Sequence, residues 1–161
     1  MVDPGMYGAG EQTRMQQYLT AEGLTPVAVL ITHSHIDHVC GLDWVKEHYP
    51  AVPVYGMAFA PLDEAAATLF TNSGWEVPTM IATPGHKEDC VCFYFPAERV
   101  LFSGDTLFQE SVGRTDLEGG DTDTLLRSLQ TLMQLPEATK VYPGHAYPTT
   151  IGHEKRYNPY I

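Results

Sequence analysis

Residues 31–41 read ITHSHIDHVCG, and positions 33–38 hold three histidines and one aspartate. Imidazole and carboxylate are the usual ligands of first-row divalent metals where no thiolate is at hand. Side chains two apart in an extended chain point the same way, so His33 and His35 can grip one ion together. If the chain then turns into a helix, Asp37 and His38 point elsewhere and can serve a second ion nearby. One loop can thus feed two metals. Three more candidates lie far along the chain: His86 in TPGH, Asp105 in SGDT and His145 in YPGH. An aspartate suits the space between two cations, because each of its oxygens can take one. The remaining histidines, His48 and His153, fall in helical or terminal segments.

These residues need a rigid base, and the surrounding pattern supplies one. Residues 27–32, VAVLIT, read as a short buried strand ending at the first histidines. The segment 11–23 reads as a helix with Met15, Tyr18 and Leu19 on one face, ended by Gly23. Residues 39–50 read as a helix closed by Pro50, 51–56 as a strand and 61–70 as a second helix. Strands follow over 76–83, 89–95 and 99–104, the last two as a hairpin. The spacing over 121–135 predicts the clearest helix, capped by Asp121 or Thr122 and lined by Leu125, Leu129 and Leu132. Residues 140–145 read as a strand running into a loop, and 151–156 as a last helical turn. Strands alternate with helices, the signature of an α/β fold. Four strands end in loops rich in Gly, Pro, His and Asp: THSHIDH, TPGH, SGDT and YPGH. Ligands and metals collect at such strand ends.

The chain has 161 residues, the size of one domain, and is read as a single domain over 1–161. A net charge of −11, from 20 acidic and 9 basic residues, argues against nucleic acid or an anionic membrane surface as partner. Three cysteines, Cys40, Cys90 and Cys92, make no disulfide framework and no Cys-x-x-Cys zinc motif. Cys90 and Cys92 read as core strand residues. A reducing compartment, the cytoplasm, is the expectation. No stretch is apolar and long enough to span a membrane, and MVDPGMYGAG has no signal pattern.

With these residues in view, the chain resembles the metallo-β-lactamase superfamily, and within it the glyoxalase II-like hydrolases. Five motifs stand in the family's order: VDPG at 2–5, THSHIDH at 32–38, TPGH at 83–86, SGDT at 103–106 and PGH at 143–145. FSGDTLF, GRTD at 113–116 and TTIGHEKRYNP at 149–159 resemble the glyoxalase II-like branch more narrowly. The resemblance implies an αββα sandwich with part of the N-terminal sheet missing, since the family normally has strands before the D-P-G motif. It implies that His33, His35 and His86 hold one metal, that Asp37, His38 and His145 hold the second, and that Asp105 bridges. Asp3 would be a supporting residue rather than a ligand. Two divalent ions are implied: zinc first, with iron or manganese as alternatives.

Two cations bring a shared water close to ionisation at neutral pH, and the hydroxide can attack a carbonyl carbon. Asp37 is the candidate to orient it. A thiolate leaves without a strong general acid, so a small-molecule thioester such as a hydroxyacyl-glutathione is the expected substrate. Arg114 can meet a substrate carboxylate, or it can pair locally with Asp116 or Asp121. Lys87 reads as a solvated lysine and Tyr147 as a packed aromatic. Class B β-lactamases usually place a cysteine where Asp105 stands, so lactam cleavage is not expected.

The chain departs from the family pattern at Lys87–Cys90, where small residues are usual, and at Ala146, where glycine is common. The helical C-terminal domain of larger glyoxalase II enzymes has no counterpart, so glutathione specificity does not follow. An uncovered core face or sheet edge, with self-association, is a further expectation. Two other readings compete: an iron-dependent persulfide dioxygenase using one iron on His33, His86 and Asp105, and an inactive metal-binding fragment.

Overall fold

The structure, a computed structural model, describes residues 1–161. Helix α1 spans Gly8–Ala21, strand β1 Val29–Leu30, helices α2 and α3 Ile36–Val39 and Leu42–His48, and strand β2 Val54–Tyr55. Helix α4 (Glu64–Asn72) leads to β3 (Thr79–Ala82), β4 (Val91–Phe95), β5 (Val100–Gly104), β6 (Leu107–Phe108) and β7 (Ser111–Val112). Helix α5 (Thr122–Leu132), β8 (Lys140–Pro143), β9 (Thr149–Thr150) and helix α6 (Ile151–Tyr157) complete the chain.

The layers follow from which side of each strand is apolar. Strands β1 and β2 pair in parallel, and Val2 bridges to Leu30 beside them. Val29 and Ile31 turn outward onto Leu19, Leu42, Trp44 and Val45 of α1 and α3. Ala28 and Leu30 turn inward onto Val91, Phe93 and Phe95 of the second sheet. That sheet has five strands in the order β3-β4-β5-β8-β9. Its other side carries Cys92, Tyr94, Leu101 and Val141, which bury Leu125, Leu129 and Leu132 of α5. The result is helix, sheet, sheet, helix: the expected αββα sandwich. Strand β4 is buried along its whole length, which is why VCFYF reads as a continuous apolar run and not an alternating one. Each α5 leucine sunk in this layer contributes about 1.5–3 kcal/mol.

Several expectations need correction. The helix expected over 39–50 is two, because the chain breaks at Cys40–Gly41, where the Gly41 N–H donates to the Pro4 carbonyl at 2.7 Å. The first of them starts at Ile36, so Asp37 and His38 stand on a helix and not in a loop. Tyr18 is exposed rather than packed with Leu19. The thiols of Cys90 and Cys92 are buried, and burial pushes them up to about 12 and 11, which leaves them unreactive at neutral pH. An apolar groove runs along Met1, Val2, Leu24, Phe70, Trp75 and Phe102. No helix is long and apolar enough to cross a membrane.

Candidate metal centre

Four strand ends converge at one rim of the sandwich. The β1 end is fixed first. The Thr32 carbonyl accepts from the Val91 N–H at 2.8 Å, tying the two sheets together just before His33. Asp3 holds the other side. Its carboxylate accepts from the Thr32 N–H, the Thr32 hydroxyl and His38 Nδ1, at 2.7, 2.7 and 2.9 Å. The loop bearing His86 rests on α5. The Asp121 N–H donates to the Gly85 carbonyl at 2.8 Å and the Ser128 hydroxyl to the Pro84 carbonyl at 2.7 Å. Gly85 sits at φ +138° with its α-carbon against Leu125, a position with no room for a β-carbon. Asp105 follows β5 and His145 follows β8, neighbouring strands of the sheet.

The outer nitrogens of the buried histidines decide which way the inner ones face. His86 Nδ1 lies 2.7 Å from the Arg114 carbonyl, which can only accept, so the proton sits on Nδ1. His38 Nδ1 donates to Asp3 in the same way. The Thr32 hydroxyl spends its proton on Asp3, so at 3.1 Å it accepts from His33 Nδ1. In its neutral form each ring therefore turns the Nε2 lone pair inward. His33 Nε2 lies 3.2 Å from His35 Nδ1, which lies 2.9 Å from His86 Nε2.

The arrangement fits metal ions. His33, His35 and His86 form one group whose ligand atoms all lie within 4.8 Å of one another, and Asp37, His38 and His145 form another. Asp105 lies between them. Its Oδ1 is 3.3 Å from His38 Nε2, and its Oδ2 is 3.7 Å from His86 Nε2 and 3.5 Å from His145 Nε2. His38 Nε2 and Asp105 Oδ1 are buried and have no hydrogen-bond partner. Buried polar atoms are rarely left so, and a cation held between them would satisfy both. Gly144 passes so close to Asp105 Oδ1 and His38 that a β-carbon would fill the second position. All seven residues expected from the sequence are brought together.

Charge follows the same logic. Burial, reinforced by His38, pushes His33 down to about 3, so it is neutral and ready to ligate. Burial also opposes a charge on His38, but two carboxylates outweigh it, Asp105 close to Nε2 at 3.3 Å and Asp3 hydrogen-bonded to Nδ1, and lift His38 to about 10. Burial would raise Asp105, yet the nearby His38 holds it below the ordinary carboxylate range. Without metal, then, His38 is protonated at neutral pH and must lose that proton to bind through Nε2. His33 has none to lose. Affinity for the second metal should rise about tenfold per pH unit between about pH 6 and 8, with a shallower slope for the first. Chelator-competition titrations at several pH values check this, and equal slopes would contradict it.

Asp3 → Asn should show the same asymmetry. The carboxylate that takes the His38 proton becomes an amide that accepts more weakly. Removing such a supporting partner costs roughly 10–100-fold in metal affinity. The loss should fall on the second ion, and isothermal titration with zinc would resolve it.

Beside the metal residues lies a cavity of about 610 Å³, walled by Ile36, Phe108, Ser111, Val112, Arg114 and Leu117. Of the two roles open to Arg114, the local pair is formed: its guanidinium makes two 2.7 Å hydrogen bonds to Asp116. Lys87 is not a freely solvated lysine. It contacts the Ser34 hydroxyl and lies 3.5 Å from Asp89, whose carboxylate also accepts from the Ser34 N–H at 3.1 Å. The unusual Lys87–Cys90 stretch thus clamps the loop between His33 and His35. Tyr147 is 77% exposed and not packed. Ala146 keeps a positive φ of 66°, the conformation glycine would adopt freely, at a cost of about 1–2 kcal/mol. The Arg114 carbonyl and the β6–β7 wall had no side-chain signal to reveal them.

The family model that matches this chain is that of the Metallo-beta-lactamase superfamily, over residues 1–70 and 67–145. A probable metallo-hydrolase of Bacillus subtilis, YqgX, is 36% identical, with 99% of this chain and 85% of that protein covered. A hydroxyacylglutathione hydrolase of Francisella tularensis subsp. novicida is 37% identical over 81% of this chain and about half, 54%, of its own length. Among solved structures, TTHA1623 in a di-iron-bound form superposes with a TM-score of 0.81 at 35% identity, covering 99% of this chain and 88% of that one. The B3 metallo-beta-lactamase BLEG-1 gives 0.81 at 35%, covering 99% and 86%. ETHE1 from Myxococcus xanthus gives 0.77 at 29%, covering 98% and 71%. A histidine and aspartate cluster in this fold, with a di-iron relative, supports binding of divalent metal.

Proposed function

This chain belongs to the metallo-beta-lactamase superfamily, and from that membership we propose that it is a dinuclear hydrolase acting on a small-molecule thioester. The observation that carries the reading is the second ligand group. Asp37, His38 and His145 stand complete beside His33, His35 and His86, with Asp105 reaching both. A cation pair held there supplies a water that ionises near neutral pH and a Lewis acid for a carbonyl oxygen. The protein does the rest. Asp37 projects half-exposed at the cavity mouth, its Oδ2 3.2 Å from His145 Nε2, where it can hold and orient a water. Phe108, Val112 and Leu117 exclude solvent from an acyl group.

The leaving group is argued from the wall. Beyond the metal residues, the polar side chains on this cavity are Ser111 and Arg114. Neither is a general acid at neutral pH. An amine or alkoxide leaving group needs one, and a thiolate does not. The hydroxyacylglutathione hydrolase relative supports the same substrate class. Arg114 serves a carboxylate on the thiol half if it exchanges Asp116 for substrate. Arg114→Met should then raise KM about tenfold for a thioester of an acidic thiol and leave an uncharged one unchanged. Equal KM values for both would return the arginine to its local pair.

The test is metal content on purified protein paired with turnover. Two metals per chain and thioester cleavage support the proposal. One iron with oxygen uptake on a persulfide supports a dioxygenase instead, a reading that the ETHE1 neighbour also fits. Cleavage of a chromogenic cephalosporin with thioesters untouched would favour the lactamase activity that BLEG-1 is named for. A melting midpoint unmoved by added metal would favour an inactive fragment.

A further inference from the structure

The C-terminal stretch TTIGHEKRYNP places a carboxylate, Glu154, in complete burial. A charged side chain so placed is costly unless fully hydrogen-bonded, and Glu154 is. Its Oε2 accepts from the Glu110 N–H and from Asn158 Nδ2, both at 2.8 Å, and its Oε1 accepts from the Thr149 hydroxyl at 2.5 Å. Asn158 Nδ2 also donates to the Ser111 carbonyl at 3.0 Å. Glu110 lies in the turn of hairpin β6–β7, and Ser111 opens β7 opposite Phe108. Glu110 sits at φ +53°, a left-handed conformation that a non-glycine residue keeps only when something holds it. His153 Nε2 makes a third tie to the Glu110 carboxylate at 2.8 Å.

This hairpin is not remote from the chemistry. Its strands present Phe108, Ser111 and Val112 to the cavity, and two residues on, the Arg114 carbonyl fixes His86. Helix α6 itself contributes no side chain to that cavity.

We infer that Glu154, assisted by Asn158, is a positioning residue that sets the substrate-binding wall through hairpin β6–β7. It acts through Glu110 and Ser111 and touches no substrate. The inference rests on the proposed thioester reaction only for its kinetic readout. Glutamine can replace glutamate here, since its carbonyl can take both Oε2 bonds while its amide faces Thr149. Leucine cannot.

The experiment compares Glu154→Leu and Glu154→Gln in the metal-loaded full chain. Glu154→Leu should raise KM for a thioester at least about tenfold, with kcat within about threefold and metal content unchanged. Glu154→Gln should restore KM to within about twofold of the starting protein. A folded, metal-replete Glu154→Leu with unchanged KM overturns the inference, as does a Gln variant as impaired as Leu. Should Glu154→Leu fail to fold, Asn158→Ala removes one tie and should raise KM about threefold; unchanged KM there overturns it too. If the starting protein holds two metals but cleaves no thioester, the proposed reaction fails and this inference does not. Amide exchange over residues 107–114 then decides it. Protection lost in Leu and kept in Gln supports it, and equal protection overturns it.

Discussion

Asp105→Asn is expected to keep the fold, to reduce metal content below two ions per chain, and to cut thioester turnover by about a thousandfold. Asp105 is the carboxylate whose two oxygens reach both groups, His38 on one side and His86 and His145 on the other. Asparagine has nearly the same volume, so packing at the end of β5 is preserved. It brings one acceptor oxygen and no charge into a place that should hold four positive charges. The surplus is strongly unfavourable in a buried site. The variant also loses one of the two carboxylates that lift His38 to about 10. Metal analysis after gel filtration, a melting curve and a turnover assay together check the prediction. An asparagine variant with two tightly held metals and full activity would remove Asp105 from the bridging role.

Asp37→Asn is the second large effect, and it separates binding from chemistry. Asp37 is half-exposed, while His38 beside it is buried. A ligand needed only for holding metal gains nothing from facing the cavity. The side chain lies 3.2 Å from His145 and borders the substrate space, which suits a group that accepts a proton from water. Assayed at saturating metal, the variant should lose about a hundredfold in kcat, with KM within about threefold. A loss repaired entirely by added metal would make Asp37 a ligand and nothing more.

What could be read from the sequence, and what could not, divides along physical lines. The ligands were legible because metal chemistry restricts residue type and because the β-strand period aligns His33 with His35. Helix α5 was legible because Leu125, Leu129 and Leu132 repeat at helical spacing over an Asp121 cap, which the structure shows accepting from the Thr124 N–H at 2.7 Å. Strands β6, β7 and β9 have two residues each, too few for any periodicity to register. Helix α2 was missed because it has only four residues, two of them the ligands Asp37 and His38, and His38 gives no propensity signal. Orientation was the weakest point. Tyr18 and Tyr147 are large and aromatic, yet both are exposed, since residue type alone does not say which way a side chain faces. The Arg114 carbonyl is a main-chain group, common to every residue, and only tertiary structure brings it to His86. Lys87 and Asp89 looked like a fault in the TPGH loop, but their contacts to Ser34 make them a support for it.

Zinc-edge anomalous diffraction from zinc-loaded crystals tests the central claim most directly. The account predicts two peaks per chain, with ligand atoms of His33, His35 and His86 about 2.0–2.1 Å from one, and those of Asp37, His38 and His145 about 2.0–2.2 Å from the other. Asp105 should reach both. A single peak, or peaks at side chains outside this set, would contradict it.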